Sequence, residues 1–427
     1  MVFRFYFGLT DHIVMVGRRY FCWKFAATAG HAAAEERSSL PLRRYARTLL
    51  VVVAALSMVF TAVTAVFFFS HYPQISELLQ VTAMIRSEAL EPVATGELLH
   101  GATKGVVAAL EDPYSTYLEP QEYKSLSEQI SGAYTGVGLL IELDPTRGIV
   151  VVTPFRGGPA YRAGIRSGDV IVRIDGRSTL GMRLEEAAAM MQGRPGTRVK
   201  LAIQPEGEAV GEIELVREEI RIPSVEGKLL DASPGTGYVS LTNFNTHTAR
   251  DLADKLAELK REGMRRLVLD LRNNPGGDLM ASVQVASQFI PAGPVVYTVS
   301  RAGTRSFEAQ GEATDLPLVV LVNGGTASAA EIVAGALQDT GRARLVGEKT
   351  FGKGLVQKLF LLDNGAALKL TTEKYLTPKK RDINKEGIHP DIVVKPAPGE
   401  KPAGLGQVDP NQDAQLRRAL AELGKAG

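Results

Sequence analysis

"PLVVLVNGGTASAAEIVAGALQD", residues 317–339, falls into three parts. Leu318 to Val322 is an unbroken apolar run of strand length, the texture of a strand buried on both faces of a sheet. Asn323-Gly324-Gly325 is turn chemistry. A helix from Ala329 to Asp339 follows, and Ser328-Ala-Ala-Glu331 matches a capping box, in which serine and glutamate answer each other's free backbone N–H groups. The same alternation runs outward in both directions. "GYVSLTNF" (237–244), a helix over 249–262, "RRLVLDLR" (265–272) and a helix near 278–290 precede it; "GLVQKLFLL" (354–362) and "AALKLTTEKYL" (366–376) follow. Strands alternating with helices predict an α/β domain over 218–395.

Ser328 sits where a strand meets a helix, so the positive end of the helix dipole faces its hydroxyl. Gly324, Gly325, Ala327 and Ala329 leave room for a substrate backbone. That favours a nucleophile, although the capping box taken alone is the better explanation of the serine. A G-x-S-x-G elbow is absent, since Thr326 and Ala330 stand where glycines would. A serine nucleophile needs a base. His247, or His389 with Asp391, leaves a Ser-His-Asp arrangement open, but Lys353 in "TFGKGLVQ" (350–357) is better placed, between two glycines at the mouth of a strand. Lysine accepts a proton near neutral pH only where burial disfavours its charge; the alternative is a solvated loop lysine. Gln357, four residues on and of the same strand parity, is placed to hold the amine. Oxyanion donors are expected from the Ala329 N–H and from Gly276 or Gly277 in "DLRNNPGG" (270–277), a motif that also reads as a plain glycine turn.

The rest of the chain sets the context. Of 427 residues, 45% are hydrophobic and 22% charged, and 49 basic against 47 acidic residues leave a net charge of +2. No field of that size argues for a nucleic-acid partner. "LLVVVAALSMVFTAVTAVFFF" (49–69) carries no charge and at ~1.5 Å per residue spans ~30 Å. Arg43, Arg44 and Arg47 precede it, which puts residues 1–48 in the cytoplasm and the remainder outside, a single-pass anchor at the cell membrane; a cleaved signal peptide is the competing reading. Cys22, the single cysteine, precedes the anchor, so the exported part has no thiol chemistry. Residues 74–130 have helical spacing and form an arm broken at Asp112-Pro113. Residues 131–217 change texture to short strands ("VGLLIEL", "GIVVVTPF", "DVIVRIDG", "RVKLAIQ") with one helix, a β-rich binding module. In it "GVGL" reads by itself as a glycine-rich hairpin turn, and alternatively as a turn that aims the N–H groups of Val137, Gly138 and Leu139 at a peptide's terminal carboxylate. Residues 396–427 are a Pro/Gly linker and a short amphipathic helix.

"PAYRAGIRSGDVIVRIDG" (159–176) resembles the second half of a PDZ domain. With "DPYSTY" (112–117), "GYVSLTNF", "DLRNNPGGDL", "NGGTASAAEI" and "TFGKGLVQ" in this order, residues 75–395 resemble the carboxyl-terminal processing proteases, the tail-specific serine peptidases. The resemblance implies a multidomain α+β and α/β chain: a helical N-terminal arm, an inserted PDZ-like domain and a crotonase/Clp-like peptidase core. It implies a Ser-Lys dyad of Ser328 and Lys353 supported by Gln357, a structural role for Asp339, and oxyanion donors at Ala329 and at Gly276 or Gly277. It implies protein substrates with exposed apolar C-termini, no metal or cofactor, and a homodimer. Ala330 departs from the serine that relatives often carry. Two alternatives stay open: a membrane-tethered PDZ scaffold with an inactive core, and an acyl-CoA enzyme built on the same sheet.

Overall fold

The computed structural model describes residues 39–155, 157–205, 207–396 and 409–425. The segment before 39 and most of the expected linker, 397–408, lie outside the described residues. Two compact units divide the chain, residues 1–98 and 99–427. In the first, a 33-residue helix, Ser39–His71, contains the stretch Arg47–Phe67, long and apolar enough to cross a membrane. Its threonines 61 and 64 turn their hydroxyls back to carbonyls four residues earlier, which removes their cost in an apolar setting. The helix Pro73–Glu88 follows, begun by a proline at a position that needs no N–H.

The second unit is built on a six-stranded sheet in the order Val225–Leu229, Thr236–Leu241, Arg266–Asp270, Leu318–Val322, Arg344–Gly347, Ile392–Val393. The first pair is antiparallel and the others parallel. Residue parity sorts the strands' side chains between two cores. Leu267, Leu269, Leu318, Val320 and Val322 face the helices Thr248–Arg261, Leu279–Ser287 and Ala329–Asp339, while Val268, Val319, Leu321 and Val346 face the C-terminal helix Ala414–Leu423. Apolar runs in these strands are therefore buried twice over. Thr248–Arg261 shows the usual one-sided pattern, with Leu252, Leu256 and Leu259 buried. Ala329–Asp339 is buried almost all round, and its small residues explain how: a Cβ added at Gly335 would press on Thr377 and Ile388 at 3.0–3.1 Å.

The C-terminal helix is held by charge as well. Arg272, just past strand Arg266–Asp270, forks between Asp270 (2.6 Å) and Asp413 (2.8 Å), and all three are nearly sealed from water. Burial alone would weaken the guanidinium's charge; the Asp270 and Asp413 carboxylates override it and hold Arg272 above its ordinary value. Asp413 also caps the helix, accepting from Leu416 N–H at 2.8 Å. Removing the guanidinium strands both carboxylates inside, so Arg272→Ala is expected to lower unfolding free energy by about 3–5 kcal/mol. Urea denaturation with matched m-values measures it; a loss under about 1 kcal/mol would refute the buried-pair account.

A second sheet centres on Ala367–Leu376, which pairs antiparallel with Leu355–Leu361 along one edge and with Thr116–Leu118 and Pro294–Ser300 along the other; Gly303–Glu308 completes it. Thr116–Leu118 falls within the stretch expected to be a helical arm. Beyond the break at Asp112-Pro113 the β-favouring Thr-Tyr-Leu finds a strand partner and Tyr117 is buried, so the arm is helix, strand and helix there. The β-rich region forms its own sheet, Leu139–Asp144, Gly148–Pro154, Val170–Ile174, Arg198–Gln204 and Gly211–Val216, around a separate core that includes Ile149, Ile171 and Leu201. Its chain enters through Ala133–Gly136 and leaves through Glu218–Arg221, and these two strands pair with each other as a stem.

Candidate active site

Ser328 ends the turn after Leu318–Val322 with φ 54° and ψ −119°, a conformation L-residues avoid at a cost of roughly 1–3 kcal/mol. The surrounding turn over-determines it. Thr326 Oγ1 donates to Leu271 O at 2.7 Å, Ala327 N–H to Asn274 O at 2.9 Å, and Phe351 N–H to Thr326 O at 3.0 Å. Asn273 and Asn323 bond each other across the two turns, Asn273 N–H to Asn323 Oδ1 and Asn323 Nδ2 to Asn273 Oδ1, both at 2.9 Å.

The capping box is formed, but its glutamate does more than cap. Glu331, fully buried, accepts four hydrogen bonds: Ser328 N–H (2.9 Å), Lys353 N–H (2.9 Å), Gly352 N–H (2.8 Å) and Thr350 Oγ1 (2.5 Å). All four lone-pair sites of one carboxyl group are used. Glu331's own N–H donates to Ser328 O at 2.8 Å, so the helix start does not depend on the serine hydroxyl. On the other side the Tyr375 hydroxyl lies between Lys353 O (2.5 Å) and Ser328 O (3.0 Å). Two side chains thus lock the backbones of residues 328 and 353 together.

Ser328 and Lys353 both line one cavity of about 820 Å³. Its apolar walls include Leu126, Ile130, Phe244, Leu279, Ile332 and Leu359. Lys353 Nζ stands 4.9 Å from the centre of the Tyr114 ring, a cation–π distance. Burial, and then the nearby Lys369 ammonium, lower the lysine's proton affinity, while Asp112 and Glu331 oppose that shift. Gln357 lies in the same cavity, but Leu355–Leu361 carries a register irregularity at Val356/Gln357, and the Gln357 amide donates to Thr371 Oγ1 at 3.3 Å rather than to the amine.

The glycines of 270–277 differ in what they leave free. The N–H of Gly276 is taken by Asn274 Oδ1 at 2.9 Å, and a Cβ there would fall 2.8 Å from Ser328 Cβ. Gly277 (φ +142°) admits no side chain, since a Cβ would lie 2.0 Å from Phe244 O. Among the described residues no acceptor meets the N–H of Gly277 or of Ala329. Asp339 closes the other end of the serine helix, accepting from Lys379 N–H at 2.9 Å and pairing with Arg381. In the β-rich unit, Val137 and Leu139 are buried, Gly138 has φ +76°, and Leu139 opens the sheet's outermost strand beside the helix Leu184–Met191. The Leu139 N–H faces the Tyr134 hydroxyl, whose proton affinity burial pushes up to about 12. Neither His389 nor Asp391 lines the cavity, and the Asp391 carboxylate accepts from Leu345 N–H.

Sequence reasoning missed four contributors here: Tyr375, Tyr114, Lys369 and the second duty of Glu331. For Glu331 the signal was present but fully explained by the cap. Tyr375 and Lys369 lie on Ala367–Leu376 and Tyr114 just before Thr116–Leu118, and the pairing of these two strands was unknown.

A deep cleft where a strained serine, a half-buried lysine and unfilled backbone donors meet, on a chain with a peptide-binding module, defines a class: serine peptidases acting on protein substrates. Comparisons with known proteins agree. Residues 235–394 match peptidase family S41, residues 150–205 the PDZ domain, and residues 65–122 the N-terminal domain of the activating protease CtpB. The carboxyl-terminal-processing protease of Picosynechococcus sp. is 44% identical over 344 residues, covering 79% of this chain and 82% of its own. That of Synechocystis sp. is 44% identical over 336 residues, covering 77% and 78%. Among solved structures, the photosystem II D1 C-terminal processing protease matches at 36% identity and a TM-score of 0.45, over 75% of this chain and 87% of that one. The chain belongs to the carboxyl-terminal-processing proteases of peptidase family S41.

Proposed function

We propose that this chain is a membrane-anchored endopeptidase that trims the apolar C-terminal tails of exported proteins with a Ser328–Lys353 dyad. The observation that carries the reading is the double lock of Glu331 and Tyr375, which fixes residues 328 and 353 at one cavity. The helix Ser39–His71 serves as the anchor and residues 131–217 as the PDZ unit. A substrate tail adds along the free edge of Leu139–Asp144, its carboxylate held at Val137 to Leu139, with Tyr134 releasing the last of those donors.

In the reaction, neutral Lys353 takes the proton of Ser328 Oγ as the oxygen attacks the scissile carbonyl. The N–H groups of Ala329 and Gly277 hold the oxyanion; Gly276, whose N–H is occupied, sets the close approach of its loop. Protonated Lys353 then gives its proton to the departing amine, and the acyl-enzyme forms. Water, deprotonated by the same amine, attacks the ester and frees the shortened protein. Gln357 steadies the wall beside the lysine through Thr371, and Asp339 fixes the far end of the serine helix. The chemistry calls for no metal or cofactor. The test uses the full chain in detergent and an unfolded reporter protein ending in Leu-Ala-Ala or in Asp-Asp. Cleavage of the apolar-tailed reporter at least tenfold faster is expected; equal rates, or no cutting of either, would reject the reading.

A further inference from the structure

One charge beside the cavity has no part in that chemistry. Lys369 lies on Ala367–Leu376, opposite Leu359 in one neighbouring strand and Thr116 in the other. Pairing with Leu355–Leu361 skips Thr372, so alternation does not carry along the whole strand and each residue is placed by what it meets. Tyr375 reaches the carbonyls of Ser328 and Lys353, Thr371 accepts from Gln357, and Lys369 lines the same cavity as Lys353. Other lysines of this sheet are neutralised, Lys358 by Glu373 and Lys374 by Asp382. Among the described residues, the Lys369 ammonium has no hydrogen bond and no ion pair.

The groups facing Lys353 come from three elements. Before Thr116–Leu118 lie the Tyr114 ring and Asp112; from the serine helix comes Glu331; from Ala367–Leu376 come Tyr375 and Lys369. Both carboxyl groups are already occupied by hydrogen bonds, Asp112 by Tyr114 N–H (3.1 Å) and Ser115 Oγ (2.5 Å), Glu331 by its four donors. The Tyr114 face favours a charged amine. Against these, among the described residues Lys369 is the one cation that lines the same cavity and opposes the Lys353 charge.

We infer that Lys369 is a positioning residue for the base: an unneutralised ammonium that makes a second positive charge in the cavity unfavourable and so keeps Lys353 ready to accept the serine proton. A lysine in this role needs no contact with substrate. The inference rests on Lys353 being the base, and its test separates the two ideas. The full chain in detergent is assayed on a quenched fluorescent peptide from pH 6 to 10.5, as wild type, Lys369→Gln, Lys369→Arg and Lys353→Ala.

Loss of the cation moves the acid limb of kcat in Lys369→Gln upward by about half to one pH unit, a fall of roughly three- to tenfold at pH 7 that disappears above about pH 10. Lys369→Arg keeps the wild-type limb. An unshifted limb in the Gln variant, or equal loss at every pH in a variant that melts like wild type, overturns the inference. A rise in KM with kcat unmoved also overturns it, by making Lys369 a substrate contact. Activity surviving in Lys353→Ala would instead sink the dyad itself; Lys353→Ala inactive with the Gln limb unshifted sinks only the role of Lys369.

Discussion

Lys353→Ala and Ser328→Ala each reduce kcat/KM by about 10⁴-fold or more while leaving the thermal transition near wild type, because each removes a group the acyl transfer cannot replace. Lys353→Arg is equally inactive, since a guanidinium keeps the charge but does not give up its proton. That triple separates a base from a mere cation. The pH dependence follows in sign. Activity requires neutral Lys353, burial and Lys369 lower its proton affinity from the ordinary 10.5, and so activity rises with pH through that lowered value and falls as acid returns the proton. More than a tenth of wild-type activity in Lys353→Ala would end the dyad assignment.

Glu331→Ala is the second large effect, and it divides between stability and rate. The substitution strips one carboxyl group from four donors, two of them, Gly352 N–H and Thr350 Oγ1, buried, so about 3 kcal/mol of stability is lost. Glu331→Gln keeps the shape but exchanges two acceptor positions for an NH₂, and the backbones of Ser328 and Lys353 cannot both stay bonded alongside Gly352 and Thr350. Misplacement on the scale of an ångström costs about 10²-fold in rate. The expected signature is therefore a folded Gln variant with kcat down about 10²-fold and KM within a few-fold. Wild-type kcat in that variant would reduce Glu331 to the helix cap the sequence suggested.

The core strands were legible because burial on both faces writes itself as Leu318–Val322 or Arg266–Asp270, runs that leave little room for another assignment. Ser328 was legible as a place where a strand turns into a helix, and Lys353 as a lysine between glycines. What the chain order hid was pairing. That Thr116–Leu118 and Leu355–Leu361 would meet on opposite edges of Ala367–Leu376 depends on contacts more than 200 residues apart in one case; that sheet brings Lys369 and Tyr375 to the cavity and Tyr114 to Lys353. The choice between Gly276 and Gly277 likewise hinged on Asn274, whose side chain occupies one of the two N–H groups.

The stem formed by Ala133–Gly136 and Glu218–Arg221 brings the two ends of the peptide-reading module to within one strand spacing of each other, about 5 Å. The catalytic body therefore experiences the module as a graft at a single point on its contour. A different reader of similar neck geometry would be spliced there without rerouting any strand of the body, so that what this scaffold recognises and what it cuts are free to diverge on separate evolutionary schedules.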